Sequence, residues 1–151
     1  DGTRKWDILL IEPGVLRHLG MDAPRVAVLA AVDTPTHKMP ETLDAVSLRE
    51  AGERGEFQDC VVDGPLPYDL AMSREAAEAK GRTGPVCGEA DILLVPDIAC
   101  GNVLLKALRY GCGAESAGLV VGGRAPIVLT SRAAQTRDKL LPLRLASLFS
   151  L

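Results

Sequence analysis

Apolar residues fall in short continuous runs along this chain, and the stretches between the runs carry helical spacing. "RVAVLAAV" (25–32), "DCVVDG" (59–64), "ADILLVPD" (90–97), "AGLVVGG" (117–123) and "APIVLTS" (125–131) have strand length and do not alternate with polar residues. Such runs predict strands buried on both faces, as in a parallel sheet covered by helices. "PETLDAVSLREAGERG" (40–55) sets Pro40 in a first helical turn, where its missing N–H costs nothing, and Gly55 as a stop. "SREAAEAKG" (73–81) offers Ser73 as N-cap, Glu75 in the first turn, Lys80 in the last and Gly81 beyond it. "GNVLLKALRYGCG" (101–113) spaces Val103, Leu104, Ala107 and Leu108 on one helical face. Two prolines resist the pattern. Pro13 interrupts the helical "WDILLIEPGVLRHLG", and Pro142 sits in the last helix-like segment, so each predicts a kink or a break.

Strand–helix alternation predicts an α/β fold, a mainly parallel sheet flanked by helices and joined by right-handed crossovers. Only Gly-Gly-Arg-Ala-Pro separates the last two strands, which predicts a hairpin and mixed pairing there. The 151 residues suffice for one domain or part of a larger one. With 47% hydrophobic but only 3% aromatic residues, Val, Leu, Ile and Ala must fill the interior.

Charge and composition narrow the function. A net charge of −3 with scattered Lys and Arg provides no basic patch, so nucleic acid is not an expected partner. No apolar run approaches the roughly 18 residues that span a bilayer, and the polar start "DGTRKWD" reads as no signal peptide. Cys60, Cys87, Cys100 and Cys112 form no CxxC pair and show no zinc spacing, and His18 and His37 lack a third ligand nearby. Reduced thiols, a cytoplasmic setting and no metal site are the expectations.

Ligands of open α/β sheets sit at the carboxyl ends of the strands. Here the runs are followed by Asp33, by Asp63-Gly64-Pro65, by Pro96-Asp97, by Gly122-Gly123 and by Thr130-Ser131-Arg132. Turn formation explains each of these singly, because Asp, Gly and Pro make turns. Arg132 is different, since turn chemistry does not ask for an arginine. A guanidinium can hold phosphate or carboxylate through two parallel hydrogen bonds, with the Ser131 and Thr130 hydroxyls beside it. A Ser N-cap followed by a solvated Arg accounts for the same residues, and both readings stay open from the residues alone.

The stretches "VAVLAAV", "KMPETLDA", "VVDGPLPYDLAMSREAAEAKG", "ADILLVPDIACGNVLLKAL" and "SAGLVVGGRAPIVLTSRA" together resemble the C-terminal half of the phosphate acetyl/butyryltransferase family, from about Arg25 to about Leu140. A DGPL turn, a PD-x-x-x-GN-x-x-x-K segment and an SR turn occur in order, and "PIVLTSRA" is nearer the butyryl branch. The resemblance implies reversible transfer of an acyl group between coenzyme A and inorganic phosphate, with coenzyme A as substrate and no metal or other cofactor. It implies a two-domain architecture similar to isocitrate and isopropylmalate dehydrogenases, with residues 1–151 as the C-terminal portion and the N-terminal portion absent. It also implies acyl-CoA, phosphate and acyl phosphate as partners and a homo-oligomer. By position, Ser131 and Arg132 would bind phosphate, and Asp138, seven residues after the serine, would act as base. Its neighbours Arg137 and Lys139 offer a solvated helix face as the rival reading. Asn102 and Lys106 match family residues near the substrate, with Thr130, Asp63 and Asp97 in supporting roles that capping or turn formation also explains. Leu105 stands where the family usually has tyrosine, which removes a hydroxyl from the cleft.

The alternative function is a non-catalytic, acyl-CoA-sensing regulatory domain of the same fold; Ser131, Arg132 and Asp138 together favour the enzyme. A metal-dependent decarboxylating dehydrogenase would need clustered aspartates on one helix, and the chain has none.

Overall fold

The register and burial of three paired strands explain why the apolar runs are continuous. The computed structural model describes residues 2–130 and 136–148, without the side chains of residues 2–4, 6, 11–13 and 136–138. At its centre β1 (Arg25–Leu29) pairs in parallel with β2 (Val61–Leu66) on one side and β3 (Ile92–Leu94) on the other. Val26 and Val28 point to one face, where they meet Ala45, Leu48 and Ala51 of α2 (Pro40–Glu53) and Leu9 of α1 (Gly2–His18). Ala27 and Leu29 point to the other, into a cluster with Leu70 and Ala71 of α3 (Tyr68–Met72) and Ala77 of α4 (Arg74–Ala79). Both faces of β1 are therefore covered, and each buried Val or Leu contributes about 1.5–3 kcal/mol.

Local signals end the helices where the residues predict. Pro40 opens α2, and Gly55, at φ +79°, closes it: the Gly55 N–H donates to Gly52 O (2.9 Å) and the Glu56 N–H to Ala51 O (3.0 Å). This Schellman arrangement needs a left-handed residue, which glycine supplies. Ser73 caps α4, its Oγ accepting from Ala76 N at 3.1 Å, and Gly81 closes it in the same way. Lys5 of α1, almost wholly buried, reaches Asp44 of α2 at 2.9 Å. Across the amino ends of β1 and β3, Asp91 Oδ2 accepts from Arg25 N (2.8 Å) and Nε (3.0 Å).

Four expectations are corrected. β2 runs to Leu66, so Asp63, Gly64 and Pro65 lie inside the strand instead of following it. The last two runs form the expected hairpin, but as a sheet of their own: β4 (Gly118–Val120) pairs antiparallel with β5 (Ile127–Leu129), and α6 (Thr136–Ser147) packs on it. Antiparallel pairing puts Gly122-Gly123 and Thr130 at opposite ends of the hairpin, so the five strand ends do not share one edge. Nor are the hairpin's faces both buried: Val120, Ile127 and Leu129 are 48%, 62% and 63% exposed, because two strands alone cannot cover each other's faces. Finally, α1 and α6 run unbroken through Pro13 and Pro142. A proline removes one helical hydrogen bond, and Pro142 does so while fully buried. Among the described residues no helix is long and apolar enough to cross a membrane.

Candidate active site

The strand order β2-β1-β3 makes β1 the point at which the chain's path across the sheet reverses. The connections leaving β1 and β3 then diverge to opposite faces of the sheet, and a crevice opens at the carboxyl edge between them. A cavity of about 900 Å³ lies there. The residues after β1 (Ala30, Ala31) and after β3 (Pro96, Asp97) form its base, and α5 (Ile98–Lys106) contributes Ala99, Cys100, Val103 and Leu104. Glu41, in the first turn of α2, and Tyr68, the first residue of α3, complete the polar part of the lining.

This lining is apolar with two carboxyls, a phenol and a thiol, and no lysine or arginine among the described residues takes part in it. Such a surface favours a neutral, largely aliphatic chain and opposes a phosphate that brings no cation with it. Among the described residues no three metal-ligating side chains cluster.

The predicted site residues distribute unevenly. Asp97 lines the cavity and caps α5, its Oδ1 accepting from Cys100 N at 2.8 Å, so of its two readings the cap is observed. Asn102 and Lys106 are exposed and one turn apart on α5. Helical geometry places them beside the Ala99–Val103 wall but not on it. Leu105 is 52% exposed on another face of the helix. Thr130 is exposed at the end of β5 and does not line the cavity. Ser131 and Arg132 lie outside the described residues, and of Asp138 only its place in α6 is described.

Asp63 stands apart from this group. It is 3% exposed within β2, beside a second cavity of about 380 Å³ lined also by Arg49, Arg82 and Gly84. Its Oδ1 accepts from Gly64 N (2.8 Å) and from Arg82 Nη2 (3.2 Å), so a buried carboxylate has its cation. Arg49 Nη1 donates to Gly64 O at 3.3 Å. Asp63 therefore lies inside the sheet and does not line the cleft, because β2 extends two residues past Gly64, the expected end.

Sequence reasoning missed Glu41, Tyr68 and Cys100 as cavity residues and Arg49 and Arg82 as partners of the buried segment. Glu41 lies in the first turn of α2 and Tyr68 two residues past β2, and only the strand order brings them to one cleft. Arg49 also pairs with Glu53, one turn further along α2, at 3.5 Å.

The pattern of a family described as phosphate acetyl/butaryl transferase matches residues 4–146. A phosphate butyryltransferase of Clostridium acetobutylicum is 46% identical over 144 residues, 95% of this chain and 48% of the relative. A phosphate acetyltransferase of Rhizobium meliloti is 47% identical over 132 residues, 87% of this chain and 42% of the relative. Among solved structures, a branched-chain phosphotransacylase from Enterococcus faecalis V583 superposes with a TM-score of 0.89 at 36% identity, over 98% of this chain and 53% of that one. The chain thus spans about half the length of the curated relatives it matches.

Proposed function

Because the chain belongs to the phosphate acetyl/butaryl transferase family, we propose that the protein transfers a short acyl group reversibly between coenzyme A and inorganic phosphate. The observation that carries this reading is the 46% identity to a phosphate butyryltransferase across 95% of the chain. The reaction joins the coenzyme A sulfur to the acyl carbon, breaks the bond from that carbon to the phosphate oxygen, and gives the thiol proton to a base.

In this scheme the 900 Å³ cleft takes the acyl chain and the adjoining neutral part of the thioester, since its lining is apolar with carboxyls at Glu41 and Asp97. The phosphate then needs a cation from outside the lining; Arg132 supplies it and Ser131 adds a hydroxyl donor, both directly after β5 in the sequence. A guanidinium and hydroxyl fixed on the departing phosphate stabilise charge that develops in the transition state. Asp138 acts as the base for the thiol, whose free pKa is about 8.5. Lys106 adds a point charge beside the cleft, and Asn102 an amide.

The same reading makes acyl-CoA, phosphate and acyl phosphate the partners, with no resident cofactor, in a cytoplasmic homo-oligomer. It also takes the two-domain architecture of isocitrate and isopropylmalate dehydrogenases as the frame, with the cleft between domains. The test is a kinetic split in the full-length protein. Arg132→Ala is expected to raise the KM for phosphate, and Asp138→Asn to lower kcat about 10²-fold or more. An Asp138→Asn variant as active as the parent would return that acid to the solvated helix face.

A further inference from the structure

We infer that Arg49, Asp63 and Arg82 form a brace that holds a bulge in β2 and thereby sets the position of Tyr68 in the cleft. The brace is read from geometry alone; its effect on turnover rests on the acyl-transfer reading.

Pairing between β1 and β2 skips one residue. Ala27 faces Asp63, yet Leu29, two residues on, faces Leu66, three residues on. β2 therefore carries one residue more than its partner, and pairing resumes beyond it, where Ala30 N donates to Leu66 O at 3.0 Å. A bulge leaves backbone groups without ladder partners and re-aims the strand that follows. Both polar groups of Gly64 find side chains instead. Its N–H donates to Asp63 Oδ1 (2.8 Å), and its carbonyl accepts from Arg49 Nη1 (3.3 Å).

The brace is itself held in place. The closing turn of α4 carries the chain from Gly81, at φ +63°, to Arg82, whose N–H bonds Ala77 O. From there its guanidinium reaches Asp63 at 3.2 Å. Gly84 closes over the other carboxylate oxygen, since a Cβ there would stand only 2.3 Å from Asp63 Oδ2. Downstream of the bulge, Leu66 and Leu70 are buried anchors, and Tyr68 between them lines the cleft at 41% exposure. A change in the bulge is thus passed along three residues to the phenol, while the base of the cleft, built from β1 and β3, stays put.

The test uses full-length protein carrying fluorotyrosine, with the Tyr68 ¹⁹F resonance assigned by its loss in Tyr68→Phe. In Arg82→Met the Tyr68 resonance is expected to move, that of Tyr110 to stay, and Arg82→Lys to restore most of the parent position. Kinetically, Arg82→Met is expected to raise the KM for acyl-CoA about tenfold with kcat within about twofold, because a misplaced cleft residue weakens binding without altering the reacting groups. In a Tyr68→Ala background the same substitution is expected to change KM by less than about twofold, the two acting through one group. Should Arg82→Met fail to fold, Arg49→Met, at the more exposed end of the brace, carries the same readouts. An unmoved Tyr68 resonance in the folded Met variant overturns the inference, and so does a full tenfold effect retained without Tyr68. If the parent shows no phosphate-dependent turnover, the acyl-transfer reading fails and the resonance alone decides the brace.

Discussion

Gly64→Ala tests the closeness of the bulge to the core. A Cβ built on Gly64 would stand 2.8 Å from Val28 Cβ, 2.9 Å from the Val28 carbonyl oxygen and 3.3 Å from Ala45 Cβ. Carbon atoms rest comfortably at about 3.5–4.0 Å. Relief requires β1 or α2 to move, since one obstacle is backbone and the others are the stiff base of side chains. Overpacking of this kind costs about 1–3 kcal/mol, and the buried, bounded position puts the expectation near the top of that range. Reduced freedom of the unfolded chain offsets about 0.4–1 kcal/mol of it. The expected net loss is about 2 kcal/mol, read from the urea midpoint by far-UV circular dichroism with the m-value unchanged. Gly14→Ala is the control. It lies within α1 with nothing within 4 Å of its added Cβ, and it should gain about 0.5–1 kcal/mol from helix propensity. A Gly64→Ala protein within about 0.5 kcal/mol of the parent would refute the described approach of β2 to Val28, since ordinary surface substitutions fall in that range.

Two further outcomes follow from the charged and thiol groups. Burial, and secondly the Asp59 charge, push the Cys60 thiol up to about 11, and burial raises Cys87 as well. At pH 8 a thiol reagent should therefore modify the exposed Cys100 and Cys112 first, and butyryl-CoA should slow only Cys100, which lines the cleft; equal protection of both would place the thioester elsewhere. The hydrogen bond from the Arg25 side chain outweighs an upward push from burial and, with help from the Arg25 backbone N–H, holds the Asp91 carboxyl below the usual carboxylate range. A depressed folded-state value means this stabilisation is complete above the unfolded pKa of about 3.9 and is lost as pH falls through the lower folded value. Asp91→Asn should accordingly lower the urea midpoint at neutral pH and flatten its acid-side decline; an unchanged decline would assign that slope to other carboxyls.

The parts of this fold legible in the residues are those governed by short-range chemistry. Pro40 and Gly55 bound α2, and Ser73 and Gly81 bound α4, because caps and left-handed turns are decided within a few residues. β1 was legible as doubly buried because nothing polar interrupts it. The β4–β5 hairpin has the same apolar pattern yet stands half bare, since a pattern states what a strand can bury and not what lies nearby to cover it. β2 was misjudged for a different reason. Asp63, Gly64 and Pro65 are turn formers, and only tertiary partners, two arginines 14 residues before and 19 residues after Asp63, let them sit inside a strand. The cleft shows the same division. Asp97 was legible because it caps a helix, whereas Glu41, Tyr68 and Cys100 meet there only through the strand order, which local residues do not encode.

The most direct test of acyl transfer is release of free thiol from butyryl-CoA by the full-length protein, measured with and without inorganic phosphate. The account predicts thiol release that saturates with phosphate and yields one butyryl phosphate for each coenzyme A. Binding of butyryl-CoA without phosphate-dependent release, with acetyl-CoA equally inert, would contradict it.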